Sequence, residues 1–458
     1  MLRPVIPGSL AVFVGWYIAA VGFTYRELLV SLLLVTSLLA LSAGKEGIRV
    51  GFTLWVLTLG MGYRTLPVTA TLRLHPAEVL LLGLMVLLIL SRMLGAERVH
   101  TPYPTWLLLF IPFWLWGWVP GLLAGRPVDV MFSEFRNFVL FIPLLILAHH
   151  ALREETALGS AITVFYVTGT AVAALGTIEY LFPSVASLVP GFSAAPFAHR
   201  TGEGFSRAAF SFYGHQNATF LCVLSLPFAA YLVRYKNGTA RKIALAVAGL
   251  IQFVAIFIAG HRSMWFIVFV QLLIWMQKRG GSVLAVLMTL SLSVGLYQVM
   301  PTSVQARVDS LILVLEGAPG DSSGIKRWER ATGAMEVCTK EPFGLGWAGA
   351  GWVHSDFLQV AANLGVLAGL VFFGGFISRL WRLIRHVRTL DDGSTDGALA
   401  LSMLLSFVAC GWILSTQPVV VLTQSILPLW FVWVLVETQT GRWTTISPRA
   451  DDAHTSLR

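Results

Sequence analysis

The chain has 458 residues, of which 56% are hydrophobic and 12% charged, about half the roughly 25% charged fraction of an ordinary soluble domain. With 16 Trp, 29 Phe and a mean hydropathy of +0.75, there is too little polar surface for a soluble fold, and the class implied is a polytopic membrane protein. Three cysteines, with Cys222 and Cys410 in apolar runs and Cys338 alone in a polar segment, exclude a disulfide framework.

A helix needs roughly 20 apolar residues to cross the hydrocarbon. Stretches near that length lie at 7–23, 27–43, 48–63, 77–95, 104–124, 129–149, 158–182, 212–233, 242–259, 263–277, 282–300, 355–378, 397–416 and 419–437, the third and tenth being short. The first, with its single Arg3, imitates a signal peptide, but further apolar runs follow at once and it reads as an uncleaved span. The expected fold is therefore all-α, a transmembrane helical bundle of about 12–14 spans. The organisation expected is 1–182 as N-terminal transmembrane helices, 183–440 as a second membrane domain, and 441–458 as a cytoplasmic tail. Two long polar interruptions, 183–208 and 301–354, are where chemistry has room.

The net charge is +9, but position matters more than the total. With the amino terminus inside, 19 of the 32 Lys and Arg fall on inward connections, 12 on outward ones, and Arg136 within a span. The positive-inside rule favours that orientation, with both termini cytoplasmic and both long loops outside. Eight of the 12 outward cations nevertheless lie between Arg200 and Lys340. Lipid headgroups account for any single rim arginine. A cluster that opposes the topology signal points to a bound anion, because the guanidinium fork matches phosphate oxygens.

Four stretches carry candidate chemistry. In FSRAAFSFYGHQNATF (205–220), Arg207 leads into a span bearing His215, Gln216 and Asn217. In IAGHRSMWF (258–266), a minimal turn puts Arg262 at the membrane surface between two spans. In GIKRWERATGAMEVCTKEPFGLGWAGAG (324–351), an amphipathic helix through Trp328 and Met335 is expected, closed by Pro342 and a glycine turn at Gly344 and Gly346. In WVHSDFLQVAANLG (352–365), His354 precedes Ser355, a possible helix N-cap, at the mouth of a long span that also holds Asn363. A histidine there suits a base at neutral pH, and a base beside arginines suits deprotonation of a hydroxyl while a phosphate leaving group gathers charge. The bland reading of His354 is an amphipathic rim residue.

Other features are assigned less. His215, His261 and His354 share no metal-ligand spacing, so no metal site is expected. Glu134 and Arg136 are expected to pair with other helices inside the bundle. Arg379, Arg382, Arg385 and Arg388 recur every third residue and read as a topology anchor against anionic lipid. No nucleotide loop is present, and neither ATP nor another cofactor is expected.

Taken together, the four stretches resemble the O-antigen ligase and polymerase superfamily. There a Ser-Arg type turn between spans, a long periplasmic loop with an Arg-Trp element and a Pro-x-x-Gly-x-Gly turn, and a His-x-Asp-x-Leu-Gln opening of the next span recur in this order. The likeness covers about 200–380 and implies a GT-C-like bundle whose second domain, 183–440, is the ligase-related membrane domain with its periplasmic loop at 301–354. It implies that Arg207 and Arg262 hold the pyrophosphate of a polyprenyl-linked glycan, that Arg327 supports it, and that His354 assists the acceptor hydroxyl. Arg200, Arg330, Asp356, Gly344 and Gly346 are carried as candidate substrate contacts. Two positions depart from the pattern: the turn reads Gly260-His261-Arg262 where Ser-Arg or Thr-Arg is usual, and Asn363 stands where Glu is common.

The function implied is an inverting, metal-independent glycosyltransferase of the bacterial inner membrane, with its site facing the periplasm. Its donor would be an undecaprenyl-diphosphate-linked glycan, and its acceptor the lipid A-core (a ligase) or a second lipid-linked glycan (an O-antigen or exopolysaccharide polymerase). Membrane lipids are expected partners and nucleic acid is not. A transporter would gather polar groups at the midplane of interrupted helices, and an oligosaccharyltransferase would differ only in its acceptor.

Overall fold

The computed structural model describes residues 46–61, 66–67, 73–93, 103–182, 184, 214–235, 238–278, 305, 322–391, 393–419 and 422–446. They are almost all helical. In chain order they form α1 (46–58), α2 (Pro76–Met93), α3 (Thr105–Trp116), α4 (Trp118–Leu123), α5 (Val128–Val139), α6 (Phe141–Ala151), α7 (Glu155–Leu181) and α8 (His215–Ser225). There follow α9 (Phe228–Tyr235), α10 (Thr239–Ile258), α11 (Arg262–Lys278), α12 (Ser322–Lys340), α13 (Asp356–Leu364), α14 (Val366–Thr389), α15 (Thr395–Thr416) and α16 (Thr423–Ile446). A two-residue antiparallel ladder pairs Leu66–Pro67 with Arg73–Leu74.

Among the described residues, seven helical segments are long and apolar enough to cross a membrane, with an eighth if the pair α8 and α9, bent by 42°, is counted as one span. The expected spans at 7–23, 27–43 and 282–300 lie outside the described residues. The other expected spans fall on helices where described, several of them with a break, so the protein is a polytopic helical bundle.

The chain divides into two compact units, one of Met1–Val99, His150–Cys222 and Val247–His261, the other of His100–His149, Val223–Ala246 and Arg262–Arg458. Within the first, polar side chains tie apolar helices together. The Gln252 amide donates to the Tyr166 carbonyl at 3.1 Å and to Thr170 Oγ1 at 2.8 Å, and the buried Trp55 indole donates to the Ala77 carbonyl at 2.9 Å.

The second unit is built around α15, 83% of whose apolar window is buried. It packs against α9, α11, α13, α14 and α16. Gln271 on α11 donates to the carbonyls of Val223 and Leu405. An aromatic core joins α3, α5, α6, α14, α15 and α16 through Trp106, Phe138, Phe141, Phe376, Phe407 and Trp433. On α14, Leu367, Leu370, Phe373, Ile377 and Trp381 form an exposed stripe suited to lipid, while Ala368, Phe372, Gly375, Phe376 and Arg379 face the bundle.

Two expectations are corrected here. The stretch 355–378 is not one span: the apolar run continues, but Gly365, at φ +101°, separates α13 from α14. The Val366 amide, released from helical bonding at that break, donates to the Pro342 carbonyl at 2.9 Å. Nor is Arg379 a lipid anchor. A three-residue repeat falls short of the 3.6-residue turn by about 60° at each step, so the four arginines wind around α14. Arg379 faces inward, where its Nε donates to Glu437 Oε2 at 2.6 Å, whereas Arg382, Arg385 and Arg388 are exposed. The Trp106 and Trp433 indoles donate to the other carboxylate oxygen of Glu437 at 2.9 and 3.2 Å.

Candidate functional site

The polar segment after α12 is a tightly held loop, 341–355. Its glycines are there for conformation and close approach: Gly344 and Gly346 have φ of +85° and +87°. A Cβ on Gly344 would stand 2.4 Å from the Gly365 amide nitrogen, and one on Gly346 would stand 2.3 Å from that of Gly121. Leu345 and Gly346 donate to the carbonyls of Ala362 and Asn363 at 2.9 and 2.7 Å, and Trp347 donates to Gly117 at 2.9 Å. Both glycines thus sit against backbone, shaping the loop from within.

Two charged residues from the α4–α5 region grip this loop, one at its carbonyls and one at its amides. Arg126, between α4 and α5, directs one guanidinium nitrogen at the carbonyls of Leu345, Gly346 and Trp347, at 2.7, 3.2 and 3.2 Å. Glu134, buried on α5, accepts from the Ala348 amide at 2.5 Å and from the side-chain amides of Gln359 and Asn363 on α13, each at 2.9 Å. Those two amides pass the connection on. Asn363 Oδ1 accepts from the Ala350 N–H at 2.7 Å, and Gln359 Oε1 accepts from the Val353 N–H at 3.3 Å. Arg136, on the same helix, donates to Thr423 Oγ1 of α16 at 3.0 Å. Glu134 and Arg136 therefore do pair with other helices, as their place in an apolar span required.

His354 follows directly on Val353. Ser355 caps α13 as expected, its hydroxyl accepting from the Leu358 amide. The His354 ring meets α12, whose inner face follows from helical spacing: Arg327, Arg330, Ala334, Val337 and Cys338 share one stripe. Ala334, Val337 and Cys338 pack on Val353, Leu358 and Ala362. The packing face is thus not the one through Trp328 and Met335, which are 70% and 49% exposed. At the amino-terminal end of the inner stripe, Arg330 approaches His354 Nε2 at 3.0 Å.

A guanidinium can only donate, so Nε2 is the acceptor and the ring proton sits on Nδ1. Nδ1 is buried and makes no hydrogen bond to any described group. Burial, reinforced by the charges of Arg327 and Arg330, lowers the His354 pKa from 6.5 to about 4. At neutral pH the imidazole is uncharged beside two cations.

The other candidates fall as follows. Asp356 is fully buried and accepts from the Val419 amide at 3.1 Å, joining the start of α13 to the segment between α15 and α16. Arg262 opens α11, after a turn in which Gly260 has φ +65°, and α11 packs on α15. Arg200 and Arg207 lie outside the described residues. The structure thus brings together His354, Arg330 and Arg327. Sequence reasoning assigned Arg126 nothing, and saw in Glu134 only an unspecified helix partner. The available signal for both was a charge within or beside an apolar span. No protein-family model matches the chain, and no curated protein matches it.

Proposed function

We propose that the protein is an inner-membrane glycosyltransferase that moves an undecaprenyl-diphosphate-linked glycan onto an acceptor sugar hydroxyl at the periplasmic face, as an O-antigen ligase with lipid A-core as acceptor. The observation that carries this reading is a histidine hydrogen-bonded to an exposed arginine, with a second arginine close enough to act on its charge, on a loop held by backbone and side-chain hydrogen bonds outside the apolar helices. A polymerase that uses a second lipid-linked glycan would run the same chemistry.

In the reaction, the acceptor oxygen attacks the anomeric carbon while the bond to the diphosphate oxygen breaks. The hydroxyl proton passes to a base, and undecaprenyl diphosphate leaves; a single displacement inverts the centre. Arg330 and Arg327, with Arg262 and Arg207, are assigned to the diphosphate, because guanidinium forks match its oxygens. The contact at Arg330 couples the two substrates. A diphosphate drawing Arg330 onto itself releases Nε2, and by neutralising both arginines it removes part of what keeps His354 from accepting a proton. His354 then becomes the base only when the donor is in place.

The test is glycan transfer in membranes of a deletion strain carrying variants at normal protein levels. His354→Ala is expected to lower transfer by about a hundred to ten thousand fold, the usual range for a lost general base. His354→Gln, which keeps a hydrogen bond but takes no proton at neutral pH, is expected to be equally poor. A Gln variant near wild type would make His354 a positioning group, and an active Ala variant would sink the assignment. The glycan lost, attached O-antigen or polymer length, separates ligase from polymerase.

A further inference from the structure

We propose that Glu134 is the positioning residue for the loop that carries His354, acting as an ionised acceptor on which the loop's amides converge. The loop's Ala348 amide donates to it directly, while those of Ala350 and Val353 reach it through Asn363 and Gln359.

The direction of every bond in this network is fixed. Backbone N–H groups only donate, so Ala350 and Val353 force the oxygens of Asn363 and Gln359 to face the loop. Their NH₂ groups must then face Glu134. With Ala348, three donors meet at one carboxyl group, and none of them can accept a proton from it. A carboxylate serves all three; a protonated acid or a neutral amide would bring a donor among donors. The network ends at Val353, the residue before His354, so the imidazole's place against Arg330 is set from α5, more than 200 positions earlier in the chain.

The inverse arrangement can be built. In Glu134→Gln, the new NH₂ stands either at the Oε2 place, against the Ala348 amide, or at the Oε1 place, against the amides of Gln359 and Asn363. In Asn363→Asp, two carboxylates oppose each other. Combined, they match at two of the three arms: the amide oxygen at the Oε2 place accepts from Ala348, and its NH₂ at the Oε1 place donates to the carboxylate introduced on α13, which still accepts from Ala350, while the Gln359 amide alone is left against a donor. Moving the charge by one residue in space therefore distinguishes a carboxylate hub from a residue that only fills volume.

The readout is carbethoxylation of His354 by diethyl pyrocarbonate at about pH 6.5, the ordinary histidine midpoint, on the intact, detergent-solubilised protein, followed by peptide mass spectrometry with His150 as internal control. In the wild type, Nε2 is engaged and Nδ1 buried, so modification is slow. Glu134→Gln is expected to raise the His354 rate at least about fivefold with His150 unchanged, and Glu134→Gln/Asn363→Asp to bring it at least about halfway back to wild type, the Gln359 arm remaining unmatched. The proposal is overturned if Glu134→Gln matches wild type, or if the double variant is no better than Glu134→Gln alone. Should Glu134→Gln fail to accumulate folded, the double variant decides: accumulating folded supports the proposal, and equally unfolded overturns it. Transfer activity is expected to follow the same pattern, and that arm alone rests on the proposed glycosyl transfer. Reactivity that follows the pattern without any transfer activity would leave the hub standing and remove the enzyme reading.

Discussion

Glu134 and Glu437 are both buried in the second compact unit, and they are answered in opposite ways. Glu437 meets a guanidinium, that of Arg379, and two indole N–H groups, all from apolar helices. Glu134 meets backbone and side-chain amides, one from the loop itself and two relaying from it. A carboxylate paired with a cation locks helix to helix. One satisfied by amides acts as a template for backbone, because each N–H it attracts fixes the course of a loop. The first arrangement holds the bundle; the second shapes the loop that leads into His354.

The largest effect on stability is expected at the cation-paired site. Arg379→Ala strands the Glu437 carboxylate in an aromatic core, and removing one partner of a buried pair costs about 3–5 kcal/mol. Thermal unfolding in detergent should show it as a large drop in midpoint, and a midpoint near wild type would mean the pair contributes little. A smaller effect is expected in the loop. Gly346→Ala places a methyl group against the Gly121 amide at a positive φ, a strain of about 1–3 kcal/mol. Its mark should be local: faster His354 carbethoxylation with only a modest fall in midpoint. A global loss as large as that of Arg379→Ala would erase the distinction between the two regions.

The apolar helices were legible because long hydrophobic runs leave a helix crossing lipid few alternatives. The capping of α13 by Ser355 was legible for an equally local reason, a hydroxyl just before an apolar stretch. The break at Gly365 was hidden, since hydrophobicity runs on through it and only the loop packed beneath explains why the chain turns there. Arg379 was misread because a three-residue spacing looks like a stripe in sequence and is a spiral on a helix. At the site, the type of residue was readable and the partner was not. Glu134 and Asn363 both stood out as polar groups in apolar surroundings, but the contact between them joins residues 229 positions apart. The same holds for the inner face of α12, where small residues, Ala334 and Cys338, pack while the conspicuous Trp328 stays exposed.

The most direct test of the account is the titration of His354 itself, followed by NMR of ring-labelled histidine in nanodiscs and assigned with His354→Gln. The loop holds His354 neutral, with Nε2 accepting from Arg330, so its midpoint should lie at about 4 in the ligand-free protein. The sign follows from linkage. Between pH 6.5 and about 4 the unfolded chain takes up this proton before the folded one does, so the stability contributed by the neutral ring is full above 6.5 and is lost as pH falls through that window. Added inorganic diphosphate should move the midpoint upward by neutralising the arginines. A ligand-free midpoint at or above 6.5 would contradict the account, since His354 would then be an ordinary exposed histidine and neither the Arg330 contact nor the loop that sets it could be tuning its chemistry.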